Sequence, residues 1–151
     1  MARSQTGQAE TTGMPKSVVI AYTIAAILAL AGLSDAIYLT ILHITGQSAA
    51  CGGSASCSQV LASKYAHIGA IPVAGFGVVA YFAAFSCAVF AAFSYLKART
   101  RFAIIVALMF AGTLWFLYLQ SFVLHAYCRY CLFSAAITFL LAGIAVATPR
   151  K

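Results

Sequence analysis

Residues 128–147 read CRYCLFSAAITFLLAGIAVA, two cysteines three positions apart followed by sixteen residues without a charge. At a rise of 1.5 Å per residue, a helix needs roughly 20 residues to cross a hydrocarbon layer about 30 Å thick. The uncharged run alone, Leu132 to Ala147, is short for that task. Counted from Cys128 it suffices, and the two cysteines then form the first turn of a spanning helix. Working outward, three more stretches of this kind precede it, Val18 to Leu42, Ile71 to Leu96 and Phe102 to Leu124. The chain of 151 residues is 64% hydrophobic and 7% charged, with a mean hydropathy of +0.98. No water-soluble domain of this size can hide so much apolar side chain. The expected fold is an all-α membrane protein, a four-transmembrane-helix bundle over residues 17–148, with spans near 18–42, 71–96, 102–124 and 128–147. Residues 1–16, MARSQTGQAETTGMPK, are rich in small polar types and are expected to remain a disordered cytoplasmic tail, with 149–151 as a second tail.

Orientation follows from the basic residues. With the N-terminus inside, Arg3, Lys16, Lys97, Arg99, Arg101, Arg150 and Lys151 all fall on the cytoplasmic side, seven of the nine Lys and Arg. Only Lys64 and Arg129 fall outside, which is the asymmetry of the positive-inside bias. The net charge of +7 is therefore topology, and it offers no continuous basic face for a nucleic acid. The first apolar run exceeds the 7 to 15 residues of a cleavable signal core, so a signal anchor is expected, with both termini inside.

This topology sends four of the five cysteines to one face. Cys51 and Cys57 lie in the long outer loop, 43–70, and Cys128 and Cys131 lie where the fourth helix leaves a short outer turn. Cys87 falls deep in the second span, as a small buried apolar residue. Cys128 and Cys131, at i and i+3, are close enough to bridge. A helix N-terminus and Arg129 both favour a thiolate there, so a depressed thiol pKa is expected. The pattern is that of a redox-active dithiol. Alternatives are a structural disulfide or half of a zinc site, for which His43, His67 and His125 stand at the outer boundary, although closed zinc sites want four ligands. The redox reading is preferred and no resident metal is expected. In Cys51-Gly52-Gly53-Ser54-Ala55-Ser56-Cys57 the small residues allow nearly any backbone path, which suits a loop that carries a thiol between partners. A short helix from about Cys57 to Tyr65, apolar along Val60, Leu61 and Tyr65, is expected to lie on the bundle as a lid.

At these residues the chain resembles the vitamin K epoxide reductase family in its bacterial form, membrane thiol oxidoreductases that pass electrons between a thioredoxin-fold protein and a quinone. The resemblance rests on Cys51 and Cys57, on SQVLASKY at 58–65, on Ile71-Pro72-Val73 opening the second helix and on Cys128-x-x-Cys131 opening the fourth. Tyr38-Leu39-Thr40 followed by His43 also fits, and the match covers roughly residues 18–147. The B-type disulfide-bond proteins are similar in plan but carry CxxC in their first outer loop, so they fit less well.

The resemblance implies a quinone-dependent thiol-disulfide oxidoreductase of the bacterial inner (cytoplasmic) membrane with its active face periplasmic. It implies that Cys131 adjoins the quinone, that Cys128 resolves it, that Cys57 shuttles to Cys128, and that Cys51 meets a thioredoxin-fold, DsbA-like protein. That protein is expected to be separate, and the acceptor to be ubiquinone or menaquinone as co-substrate. Ser63 matches a serine that assists at the quinone site. Val73 and Ala135 stand where the vertebrate enzyme has an amide and a tyrosine, which argues against vitamin K epoxide as substrate and leaves quinone reduction untouched.

Tyr65, Phe76, Tyr81 and Phe116 place rings near the outer helix ends or the lid, where a quinone could stack or where they could simply serve as belt and core. Asp35 is the one acid within a helix, about 17 residues or ~26 Å from the cytoplasmic end. Its two readings are a proton relay to the quinone and an interfacial carboxyl bonded to Tyr38 or water. The expected quinone-binding set is thus Ser63, Tyr65, Phe76, Tyr81, Phe116 and Asp35. The competing class is a non-catalytic membrane module whose outer cysteines form structural disulfides or a metal site.

Overall fold

The structure is a computed structural model, and it describes residues 15–45, 59, 62–69, 71–93 and 95–148. Cys51, Cys57 and, within the proposed lid, also residues 58, 60 and 61 lie outside the described residues. Four long helices dominate: α1 (Lys16–Thr45), α2 (Val73–Ala92), α3 (Leu96–Tyr118) and α4 (Arg129–Ala147). All four are long and apolar enough to cross a membrane. They pack in ring order, α1 on α2, α2 on α3, α3 on α4, and α4 back on α1. The CxxC pair sits at the end of the bundle opposite the α2–α3 turn. Lys16, Lys97, Arg99 and Arg101 gather at that other end, where α1 and α3 begin.

Small residues bring the helices together. Ala25, Ala29, Ala84, Ala88 and Ala91 are fully buried in the main cluster, which allows the close backbone approach that replaces hydrophobic driving force inside lipid. Larger side chains fill the end remote from the cysteines, where Tyr22 meets Phe102 edge-on with ring centroids 5.6 Å apart. Outward, the pattern inverts. Val79, Leu108 and Val146 are 68, 69 and 83% exposed, which would be a fault in water and is what acyl chains call for. Thr23, Ser34, Thr40, Thr45 and Ser86 return their hydroxyls to the carbonyl four residues back, so these polar groups need no water.

Three local features differ from the expectation. The second helix does not open at Ile71: Ile71–Pro72 is a two-residue strand, antiparallel to His67–Ile68, with Gly69 at φ 68 in the turn. Pro72 forces its predecessor toward extended backbone, and it caps α2 at φ −66, ψ 138. Lys64–Ala66 is a 3-10 turn rather than the close of an α-helical lid. Finally, α3 runs out to Leu96, through Lys97, Arg99 and Arg101. Hydropathy marks the span, whereas the helix continues through charged residues of good helix propensity.

Candidate functional site

The site is assembled at the start of α4. Cys128 is its N-cap, with extended backbone (φ −92, ψ 119), and its carbonyl accepts the Leu132 N–H at 3.0 Å. Cys128 precedes the spanning helix and is wholly buried, packed with Leu42 and Ala126. Cys131, one turn on, is half-buried in the wall of a cavity.

The turn that delivers Cys128 is held from α3. That helix ends in a π-helical turn, Leu119–Val123, closed by a bond from the Leu124 N–H to the Leu119 carbonyl at 2.8 Å. Such turns are rare and collect at functional sites. Within it Gln120 is 2% exposed. Its backbone oxygen accepts the Ala126 N–H at 3.2 Å, and its side-chain Oε1 accepts the Cys128 N–H at 3.3 Å. Between these two bonds His125 adopts φ 49, a left-handed backbone uncommon outside glycine.

Electrostatics at the pair are asymmetric. The Cys131 thiol donates to the Cys128 sulfur, and the backbone amides of Cys131 and Tyr130 face it, holding the Cys128 thiol at about 6 against the ordinary 9 despite burial. The amides are the contribution expected of a helix start. Arg129, expected to help, is exposed and is not among the causes.

The cavity measures about 700 Å³ and takes lining from all four helices and from Ser63 and Tyr65. Cys131, Asp35, Ser63, Tyr65, Phe76, Tyr81 and Phe116, which the sequence suggested separately, all line it. Cys128 does not. Tyr81 is a buried part of the wall. Its ring occupies the notch left by Gly32, where a Cβ would collide with it. Its hydroxyl bonds the Ser134 carbonyl at 2.9 Å, Ser134 Oγ at 2.7 Å and Thr138 Oγ1 at 3.1 Å. One tyrosine thereby ties α1, α2 and α4 together below the cysteines. Asp35, one turn beyond Gly32, has a buried Oδ2 with no hydrogen-bond partner among the described residues. Tyr38, a suggested partner for it, packs its ring against Tyr130 at a tilt of 53°, with centroids 5.4 Å apart.

Sequence reasoning missed Gln120, Ser134 and Thr138. Gln120 carried a signal, as a lone amide inside an apolar run. Ser134 and Thr138, at i and i+4 past the CxxC, carried a weaker one. His43, which the sequence places at the outer boundary, also lines the cavity.

With this geometry in view, the comparisons decide the family. The family model described as "Vitamin K epoxide reductase family" matches residues 23–146, most of the chain. The chain belongs to the vitamin K epoxide reductase family. It is accordingly a multi-pass membrane protein, with four helices able to span. It is also similar to the thiol-disulfide oxidoreductase LTO1 of Arabidopsis thaliana, 36% identical over 121 residues. That alignment covers 74% of this chain and 32% of the plant protein, so the chain spans about a third of its curated relative. In this member of the vitamin K epoxide reductase family, Val73 and Ala135 are both cavity-lining.

Proposed function

We propose that the protein is a quinone-dependent thiol-disulfide oxidoreductase, which oxidises a thioredoxin-fold, DsbA-like protein at the periplasmic face of a bacterial inner membrane. Family membership and the name of the plant relative, a thiol-disulfide oxidoreductase, support the thiol-disulfide chemistry. The observation that carries the quinone is the position of Cys131 on a largely apolar cavity of about 700 Å³, within the range of small-molecule sites. Between α2 and α3 that cavity is lined by Val79, Leu108 and Gly112, which are also exposed toward lipid. A quinone head beside Cys131 would pass its isoprenoid tail through that gap.

Electrons enter through the loop pair. A reduced partner attacks the Cys51–Cys57 disulfide, and two exchanges leave the partner oxidised and Cys51 and Cys57 reduced. The Cys57 thiolate then attacks Cys128 of the Cys128–Cys131 disulfide, and Cys51 resolves the mixed disulfide. The inner pair now holds two electrons, and the Cys131 thiol beside it holds the Cys128 thiol below its ordinary range, which favours a thiolate at Cys128 and a proton on Cys131. Cys131, as the sulfur facing the cavity, delivers the electron pair, and Cys128 closes the disulfide behind it. Quinol takes two protons. One comes from the Cys128–Cys131 pair and the second must come from elsewhere. Asp35, a carboxyl on the same wall whose buried Oδ2 has no hydrogen-bond partner among the described residues, supplies it, while Ser63, Tyr65, Phe76, Tyr81 and Phe116 enclose the ring.

Quinone reduction by purified protein with a reduced thioredoxin-fold donor tests this reading. Cys131→Ala should abolish turnover with every donor, whereas Cys51→Ala should still accept electrons from a small dithiol. Equal rates for both variants and wild type would make the cysteines structural and end the proposal.

A further inference from the structure

We propose that the Gln120 side chain is a quinone-binding group that donates its amide N–H to a quinone carbonyl while its oxygen holds Cys128. One residue would thus sense the acceptor and set the dithiol. The inference rests on the function proposed above and adds a recognition residue to it.

A neutral amide in an apolar span is costly unless its hydrogen bonds are made. Gln120's oxygen has its partner. The Cys128 N–H can only donate, so the amide must turn its oxygen toward it. The NH2 group is left, and among the described residues no protein acceptor takes it. Gln120 nevertheless lines the same cavity as Cys131. A quinone presents two carbonyl oxygens and no donor, so it needs an N–H or O–H from the wall. Tyr81 is already committed to Ser134 and Thr138. Gln120 is joined to the dithiol through the Cys128 amide, and it is fixed by the π turn that surrounds it. A carbonyl bonded there would be polarised beside the sulfur that reduces it.

The test uses the single tryptophan, Trp115, which shares a smaller pocket with Tyr65, Phe76 and Phe116 next to the main cavity. Quenching of its fluorescence by a short-chain benzoquinone gives a Kd without turnover. Gln120→Met should weaken that Kd roughly tenfold, the value of one net hydrogen bond. Because the variant could also disturb the turn at 124–128, the wild type is examined as well, by the side-chain NH2 resonance of Gln120 in protein labelled at glutamine nitrogen. Quinone should shift that resonance and leave other glutamine side chains in place. Quinone binding to Gln120→Met within twofold of wild type, or an unmoved Gln120 resonance at saturation, would overturn the inference while leaving the proposed function standing. A wild type that binds no quinone would remove both.

Discussion

Cys131 stands on the cavity wall, while Cys128, three residues earlier, lies buried behind it and accepts a hydrogen bond from the Cys131 thiol. The two sulfurs of one CxxC motif therefore occupy different environments. One meets whatever fills the cavity, and the other is buried in the turn that Gln120 holds.

That asymmetry has a pH signature. The Cys128 thiol is held at about 6, below the ordinary thiol range, so its thiolate is present above that pH and disappears as pH falls through it. Thiolate ultraviolet absorbance of the reduced protein should titrate with a midpoint near 6. The Cys131 thiol is the largest cause, so Cys131→Ala should move the midpoint upward. A midpoint unchanged by that substitution would assign the lowering to the helix amides alone.

Asp35 should matter for proton delivery and not for thiol exchange. Asp35→Asn is expected to slow quinol formation about 10²-fold, the lower range for a positioned acid. Reduction of the Cys128–Cys131 disulfide by a small dithiol should be unchanged. Stopped-flow measurement of the two half-reactions separates these outcomes, and equal slowing of both would indicate a structural role.

Gly32 and Tyr81 make a stability prediction. Replacing glycine by alanine in a helix ordinarily gains up to about 1 kcal/mol, but here the new methyl meets the Tyr81 ring. That ring is anchored by three hydrogen bonds and cannot easily yield. Overpacking should win, with a net loss of about 1–3 kcal/mol. Tyr81→Phe keeps the ring and loses only the hydroxyl, for about 1 kcal/mol. Unfolding in detergent measures both, and a stabilised Gly32→Ala would contradict the packing described.

Much of this was legible in the sequence because a bilayer imposes a simple rule on it. Four long apolar runs could hardly be anything but spans, and CxxC at the head of the last run located the chemistry. Asp35 stood out because an acid inside an apolar helix has so few bland explanations. The rest depended on relations that no single segment contains. That Tyr81 would bond Ser134 and Thr138 required knowing which faces of α2 and α4 meet. That Gly32 would make room for it required α1 as well. The π turn at Leu119–Val123 has no sequence mark, since it arises where α3 must hand the chain to the CxxC turn. Ile71–Pro72 read as helix because apolar composition hides a proline's demand for extended backbone.

The most direct test is a single turnover without a protein partner. Fully reduced protein is mixed anaerobically with one equivalent of quinone, and quinol absorbance is followed beside the mass shift of alkylated thiols. Formation of quinol together with a Cys128–Cys131 disulfide, and none of either in Cys131→Ala, is the predicted result. Quinone left unreduced while both thiols remain alkylatable would contradict the account.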